Sequence, residues 1–374
     1  MKRLVVIAAI FLALGTALVV PLAGCEIPEP AQDVWADFRH GLTNTGYALS
    51  RAVDRADKEE WRYDTGGIIA SSPSVKYDQV YVGADDGVIY CFEKDKGAIV
   101  WKYPTGGPVK SSPAVVDHKV YVGSDDGSVY ALSEGEGELT WSTALGGRVR
   151  SSPAVTRGKV FVGCDDGFLY ILDARSGDIL WKFETGGPVT SSPAIRLGKV
   201  FFGSDDGFIY AIDEQDRSLD WKYPTGGPVS SSVAIGRNVV YCGSDDGFIY
   251  CLDERDGTLF WRYGTGGAVE SSPALAYGQV YVGSDDSFVY CLKDGSKGGQ
   301  LVWKFPTGGP VRSSPAVADH DVYVASYDGF LYCLSEENAD LVFKHEVGGL
   351  VYSSPTIAAQ KLYVCHASVI CLKD

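Results

Sequence analysis

The sequence predicts an all-β fold, an eight-bladed β-propeller built from four-stranded antiparallel blades. The first observation is a strict repeat, because tryptophan recurs every 40 residues at positions 61, 101, 141, 181, 221 and 261. Trp303 follows after a two-residue insertion, and Phe343 takes the tryptophan place in the last copy. The second is that a Gly-Gly pair and a Ser-Ser pair each recur eight times around these positions. The third is that no helical periodicity follows residue 30, so the repeats are expected to contain strands. A repeat of about 40 residues with strand pattern has the length of one propeller blade.

Each repeat reads as four short strands. In the fifth copy, β-rich or alternating segments predict strands at 229–235, 238–242, 248–252 and 258–263. Asp-Asp-Gly separates the second strand from the third, and Glu254 to Gly257 separates the third from the fourth. Both are turn sequences, so the strands are expected to pair as successive hairpins.

The two ends of the repeat region predict how the ring closes. The last repeat stops at Asp374 after its third strand, without a tryptophan strand. The regular part begins instead with an extra tryptophan strand at 60–63. We therefore predict a propeller over 61–374, with the N-terminal strand as the outer strand of the last blade, which also removes an exposed edge.

The N-terminus reads as a targeting segment. Lys2 and Arg3 precede an apolar run over 4–20, and Leu-Ala-Gly then leads to Cys25, as in a lipobox. We expect a lipoprotein signal peptide over 1–24, lipidation of Cys25, a tether over 25–34 and a lead-in segment over 35–60. The chain would then be extracytoplasmic and lipid-anchored, either in an outer membrane facing the periplasm or at the cell surface. The alternative is an ordinary signal peptide with an incidental cysteine.

The formal charge of −15 argues against nucleic-acid binding, which needs a basic surface. Six Asp-Asp pairs, at 85, 125, 165, 205, 245 and 285, supply 12 of the 48 acidic residues. Adjacent carboxylates suggest a metal site, but glycine follows five of these pairs and every pair lies between two predicted strands. Adjacent side chains at a strand end point apart, so we interpret the pairs as hairpin turns and predict no metal site.

The cysteines are interpreted as packing residues. Cys91, Cys251, Cys291, Cys333 and Cys371 share one repeat position, where other copies have alanine or isoleucine. A position that accepts Cys, Ala and Ile is a small buried apolar site. Pairing among Cys164, Cys242 and Cys365 is the alternative.

The segment Cys251-x-Asp253-x-x-x-Gly257-x-x-x-Trp261 has the spacing of a tryptophan-docking motif. On this motif the chain resembles the pyrroloquinoline quinone (PQQ)-like repeat family of quinoprotein-type propellers, which includes BamB-like outer-membrane assembly lipoproteins. The resemblance assigns a structural docking role to Trp61, Trp101, Trp141, Trp181, Trp221, Trp261 and Trp303. Arg217 and Ala339 replace the motif glycine in two copies.

The resemblance raises the question of a cofactor. Quinoprotein dehydrogenases of this family hold PQQ under a vicinal disulfide and bind calcium through long insertions. This chain has no Cys-Cys, almost every repeat is a bare 40 residues, and its five histidines have no ligand spacing. We expect no catalytic residue, no metal and no cofactor, with PQQ as the one cofactor that the resemblance suggests.

The residue before each Ser-Ser pair varies although its surroundings repeat, and it is predicted to approach the central channel. Around the ring these residues are Ala70, Lys110, Arg150, Thr190, Ser230, Glu270, Arg312 and Tyr352. One interpretation is neutral variation at solvated positions. The other is a recognition patch for a peptide, an unfolded chain or an anionic ligand, because Arg and Tyr are typical anchors.

Three functions remain open from the sequence. The first is a monomeric, non-catalytic interaction scaffold that binds envelope proteins or unfolded segments, with outer-membrane protein assembly as its specific form. The second is a PQQ-dependent oxidoreductase, and the third is a cell-surface ligand-binding or sensor module. The membrane is a partner in the first and third through the lipid anchor.

Overall fold

The computed structural model describes residues 36, 38–48, 53 and 58–374. Over these residues the chain forms eight separate four-stranded antiparallel sheets, which are the blades of the predicted eight-bladed propeller. The described part contains no helix long and apolar enough to cross a membrane. The predicted signal peptide, Cys25 and the tether lie outside the described residues.

The strands fall into four classes by their place in a blade, counted from the channel outwards. The inner strands are β2 (Ser74–Lys76), β6 (Ala114–Val116), β10 (Ala154–Thr156), β14 (Ala194–Arg196), β18 (Ala234–Ile235), β22 (Ala274–Ala276), β26 (Ala316–Ala318) and β30 (Thr356–Ala358). The second strands are β3 (Gln79–Gly83), β7 (Lys119–Gly123), β11 (Lys159–Gly163), β15 (Lys199–Ser204), β19 (Val239–Gly243), β23 (Gln279–Gly283), β27 (Asp321–Ala325) and β31 (Lys361–Cys365). The third strands are β4 (Val88–Glu93), β8 (Ser128–Ser133), β12 (Phe168–Asp173), β16 (Phe208–Asp213), β20 (Phe248–Asp253), β24 (Phe288–Lys293), β28 (Phe330–Ser335) and β32 (Ser368–Lys373). The outer strands are β5 (Ile99–Pro104), β9 (Leu139–Ala144), β13 (Ile179–Glu184), β17 (Ser218–Pro224), β21 (Leu259–Gly264), β25 (Leu301–Pro306), β29 (Leu341–Glu346) and β1 (Lys58–Asp64).

The ring closes as predicted. Blades 1 to 7 each use four consecutive strands, whereas blade 8 has the order β1-β32-β31-β30. Trp61 lies opposite Cys371 in the β1–β32 ladder, and the ladder extends to the pair Lys58 and Lys373. The closing strand therefore begins three residues before the predicted boundary at 61. Blade 8 also has a shorter turn between its second and third strands, with two residues after Cys365, where blade 4 has three and the other blades have four.

The predicted first strand of the fifth repeat is wrong over residues 229–233, because β18 covers only Ala234–Ile235. The serine pair does not join the sheet ladder. Instead, the backbone N–H of the second serine donates to the hydroxyl of the second serine in the next blade, as from Ser232 to Ser272 at 3.0 Å. All eight blades make this bond at 2.9–3.0 Å, and the last one, from Ser354 to Ser72, completes the circle. The serine pairs thus link the blades to each other around the channel.

The tryptophans link the blades at the outside. The Trp221 indole N–H donates to the carbonyl oxygen of Glu254 in the next blade at 3.2 Å. A Cβ on Gly257 would lie 2.7 Å from the Trp221 ring, so the motif glycine leaves room for the indole. Where Arg217 replaces that glycine, with a φ of 55°, the facing Trp181 is only partly buried. Trp261, which faces Gly299, is also partly buried, so the exposure of Trp181 does not depend on the lost glycine alone.

The lead-in segment lies inside the ring against the inner strands. Backbone carbonyls of residues 36, 42, 43, 45 and 46 accept hydrogen bonds from backbone N–H groups of inner strands in blades 2, 4, 5, 6 and 7. Arg39 is 3% exposed, and its guanidinium donates to the carbonyls of Asn44, Ser272, Pro273 and Pro315. Burial lowers the pKa of Arg39 to about 9. The inner strands would otherwise present unpaired N–H groups to the channel, and the lead-in satisfies them.

All eight cysteines of the described chain are buried and none forms a disulfide, in agreement with their interpretation as packing residues. Pairing among Cys164, Cys242 and Cys365 is not found. Burial raises the pKa of Cys164, Cys242 and Cys251 to about 12. Thiols with such a pKa stay protonated at neutral pH, so they are poor nucleophiles and poor metal ligands.

Candidate functional site

The two aspartates of each Asp-Asp pair have different roles. In the pair Asp245-Asp246, the second aspartate organises the turn: Asp246 accepts from the backbone N–H groups of Gly226 at 2.6 Å and Phe248 at 3.0 Å. It also accepts from the Tyr250 hydroxyl at 2.5 Å. Asp126, Asp286 and Asp328 make the same three types of bond in their own blades. The interpretation as turn chemistry holds for this second position.

The first aspartate of each pair faces the residue that precedes a serine pair. Thr190 donates to Asp205 at 3.2 Å, and Arg150 contacts both Asp125 and Asp165. Together the two positions form a ring at the end of the channel opposite the inner-strand turns, which we call the channel mouth. Its members are Ala70, Lys110, Arg150, Thr190, Ser230, Glu270, Arg312 and Tyr352, with Asp85, Asp125, Asp165, Asp205, Asp245, Asp285 and Tyr327. The structure therefore brings all the predicted patch residues to one ring.

On one side of the mouth, two cations share buried carboxylates. The Arg150 Nε lies 3.4 Å from Asp125 and 3.6 Å from Asp165, and the Lys110 Nζ lies 3.9 Å from Asp125. The Asp125 side chain is only 9% exposed, so it depends on these cations for charge compensation. Burial raises the pKa of Asp165, and Arg150 opposes that rise.

On the other side, Arg312 joins acidic and aromatic groups. It forms a two-bond pair with Asp285, at 3.0 and 2.8 Å, and an ion pair with Glu270 at 2.9 Å. Its guanidinium lies 5.4 Å from the centre of the Tyr327 ring, which in turn lies 4.9 Å from the Tyr352 ring. Arg312 is thus held in place on three sides, and Tyr352 remains exposed.

Between these two sides, blades 4 and 5 present carboxylates without a cation of their own. Burial raises the pKa of Asp205, and the Thr190 hydrogen bond opposes the rise. Burial also raises the pKa of Asp245, and the nearby Asp205 adds to that rise. Burial also raises the pKa of Glu270, and Arg312 opposes that rise. Neighbouring carboxylates add smaller contributions to all three rises, because like charges disfavour ionisation.

The mouth carries more negative than positive charge, although the sequence left open a patch that binds an anionic ligand through its cations. Seven carboxylates, six of them first aspartates and the seventh Glu270, face three cations, and each cation is already paired with a carboxylate. The mouth therefore favours a cationic group over the anionic ligand that the sequence left open. The first aspartates were missed as site residues because turn chemistry accounts for both members of a pair. The signal was available, since one aspartate is enough to organise the turn at Tyr327-Asp328.

The lead-in segment lies deeper in the channel than the mouth. Asn44 donates to the carbonyls of Pro193 at 3.4 Å and Val233 at 3.2 Å, so the segment is fixed to two neighbouring blades. Beside Phe38 and Leu42 only a cavity of about 10 Å³ remains. The accessible surface at this site is therefore the mouth.

The mouth does not match the PQQ site that the resemblance implies. Within the described residues, no group of three or more His, Cys, Asp or Glu side chains is placed to hold a metal ion. Four of the mouth carboxylates, Asp125, Asp165, Glu270 and Asp285, pair with Lys110, Arg150 or Arg312, and the cysteines of the described chain form no disulfide. The donor set present here does not fit a calcium-bound quinone.

Fold and mouth together define a bare propeller of the quinoprotein type, with tryptophan-docked blades and one open channel end. The sequence profile of the family described as "Outer membrane protein assembly factor BamB" matches residues 48–148, 125–234, 206–298 and 289–369. The chain belongs to this family. A comparison with curated proteins gives no match.

Solved structures that resemble the chain include BamB, a designed protein and a dehydrogenase. BamB from Moraxella catarrhalis is 18% identical, with a TM-score of 0.74 over 85% of this chain and 99% of that one. Quinohemoprotein alcohol dehydrogenase from Comamonas testosteroni is 14% identical, with a TM-score of 0.78 over 92% of this chain and 81% of that one. The computationally designed protein Ika8 is 18% identical, with a TM-score of 0.74 over 83% of this chain and 98% of that one. At these identities the likeness shows the fold alone.

Proposed function

We propose that the chain is a non-catalytic, lipid-anchored propeller of the cell envelope whose channel mouth binds another envelope protein. The observation that carries the proposal is the contrast within the repeat. The serine, glycine and tryptophan positions that hold the ring together recur in nearly every blade, whereas the residue before each serine pair varies and lies at the mouth. Connections held by a rigid scaffold often carry binding residues, and Arg and Tyr are enriched at protein interfaces.

Membership of the BamB family supports outer-membrane protein assembly as the specific role, and it supports an envelope location. The proposal includes the absence of a cofactor, because the donor set at the mouth does not fit PQQ with calcium. The oxidoreductase alternative has only the shared fold in its favour. No observation in the described chain favours a sensor module over a scaffold.

Replacing Lys110, Arg150 and Arg312 with glutamine should weaken partner binding, because arginine side chains are typical interface anchors and these three cations hold the neighbouring carboxylates in place. We expect about a tenfold or greater loss, since truncation of an anchor residue costs about 2 kcal/mol or more. The measurement is photocrosslinking in intact envelopes, from a photoreactive residue placed at Thr190. The matched control changes three exposed cations at the opposite end of the blades to glutamine, Lys96, Arg175 and Arg237. Equal crosslinking by the two triple variants would refute mouth binding.

Replacing Cys25 with serine should release the protein from the membrane. A diacylated cysteine anchors through its acyl chains, each methylene contributing about 0.8 kcal/mol, and serine cannot be acylated in this way. The measurement is fractionation of broken cells together with incorporation of labelled palmitate. A chain that stays in the membrane fraction without incorporating palmitate would contradict the proposed anchor.

A further inference from the structure

The rim of the mouth is interrupted at blade 8. Its second-to-third turn has only His366 and Ala367, whereas the other blades place three or four residues there, among them an aspartate or tyrosine at the mouth. Blade 8 therefore contributes no counterpart to Asp85 or Tyr327. The two connections that flank blade 8, from blade 7 and to blade 1, border this gap.

The same two connections carry exposed apolar side chains. Leu350 is 47% exposed and Ile68 is 43% exposed, and they hold equivalent places two residues after a Gly-Gly pair begins. The other blades have small, cyclic or charged residues at this place: Pro108, Arg148, Pro188, Pro228, Ala268 and Pro310. Tyr352, two residues after Leu350, adds a third exposed apolar side chain. These are the large exposed apolar residues of the described mouth connections, and all of them lie beside blade 8.

A carboxylate without an ion pair lies next to this apolar surface. The Asp85 backbone N–H donates to the Ile68 carbonyl at 2.8 Å, so the two residues adjoin. Ala70 stands where blades 2 and 3 have a cation, and no ion pair within 4 Å involves Asp85 among the described residues. One Asp85 oxygen is buried without a hydrogen-bond partner, and burial raises the pKa of this carboxyl group although Lys110 opposes the rise. A positive charge that binds this carboxylate would supply the missing hydrogen bond and offset the cost of burying the charge.

We propose that Ile68, Leu350, Tyr352 and Asp85, which we name the notch, bind a segment of a partner protein that presents an apolar side chain beside a lysine or arginine. Charge complementarity selects this occupant, because the mouth has more carboxylates than cations and Asp85 has no cation of its own. The apolar residues would be covered by the partner's apolar side chain, and Asp85 would pair with its basic neighbour. This inference rests on the proposed function and specifies which sector of the mouth is used and for what chemistry.

The test uses the purified chain and a fluorescein-labelled octapeptide, Leu-Lys-Gly-Ser-Leu-Lys-Gly-Ser, with fluorescence anisotropy as the readout. We expect it to bind about tenfold more tightly than the same peptide with Glu in place of Lys. The double variant Ile68→Ser/Leu350→Ser should weaken binding about tenfold, and Asp85→Asn should remove the preference for Lys over Glu. The matched control is Leu197→Ser, because Leu197 is an exposed leucine at the opposite end of the blades.

Each outcome decides the proposal. It is overturned if the two peptides bind equally, if the double variant binds as the unaltered chain does, or if Leu197→Ser weakens binding as much as the double variant. Leu350→Lys, which adds a repelling charge to an exposed position, provides a second variant should the double variant fold poorly. Mouth crosslinking that depends on Arg150 while the notch variants bind normally would leave the proposed function standing and refute the notch.

Discussion

Replacing Arg39 with methionine is expected to destabilise the propeller by about 3 kcal/mol or more. The guanidinium donates to four buried carbonyls, at 2.7 Å to Ser272 and 2.9 Å to Pro273 among them, and methionine leaves those acceptors without a donor. These carbonyls belong to the lead-in itself and to the connections of blades 6 and 7. Loss of Arg39 should therefore free the lead-in from the channel as well as lower the free energy of unfolding.

Denaturant unfolding measures the loss in free energy of unfolding, and amide hydrogen exchange measures the release of the lead-in. The amides of Ile195, Ile235, Leu275 and Val317 donate to lead-in carbonyls, so their exchange should become faster in Arg39→Met. In Arg39→Lys both the stability and the exchange rates should lie between those of the unaltered chain and those of Arg39→Met. Lysine keeps the charge but cannot reach as many acceptors in a fixed geometry. Arg175→Met, at an exposed cation, is the control. Unchanged exchange at the four amides would show that the lead-in does not depend on Arg39.

The fold could be predicted from the sequence because each structural signal recurs in six to eight of the repeats. A single Asp-Asp-Gly or a single tryptophan is weak, but their constant spacing leaves few alternatives. The closing strand followed from the same counting, because the extra Trp61 segment matches the strand missing after Asp374. The inner strand was overestimated because Ser231 and Ser232 have a strand-like neighbourhood, yet Ser232 bonds to the next blade. A hydrogen bond between two blades cannot be recognised from the alternation of residues within one repeat.

The site was predicted only in part, for a physical reason. The residue before each serine pair varies, so Arg150 and Arg312 could be recognised against a constant background. Their carboxylate partners are constant in six blades, and constancy made Asp125 and Asp285 look purely structural. The lead-in path was not predictable, since it is held mainly through backbone carbonyls that any residue type supplies. Arg39 and Asn44 add side-chain bonds, and neither has a repeat to compare with.

Replacing Trp61 with alanine is expected to cost about 3–5 kcal/mol and to open the ring at blade 8. The indole is 7% exposed, donates to the Lys94 carbonyl at 2.8 Å, and packs against Phe92 and Tyr363 at centroid distances of 5.9 and 6.1 Å. Trp221→Ala is the matched control, because Trp221 is also 7% exposed and donates to a carbonyl of the next blade. The two variants should lose similar free energy of unfolding.

They should differ in where the structure opens. Strand β17, which carries Trp221, follows β16 through a short turn, so it reforms its ladder at a small entropic cost after any local opening. Strand β1 pairs with β32 at the far end of the chain, where no hairpin holds them together. Exchange of the amides in Ser368–Lys373 should therefore accelerate in Trp61→Ala and remain slow in Trp221→Ala, as measured by mass spectrometry of that segment. Equal acceleration in both variants would mean that the ring opens at any blade once one tryptophan is lost, and that the N-terminal strand is not its weakest junction.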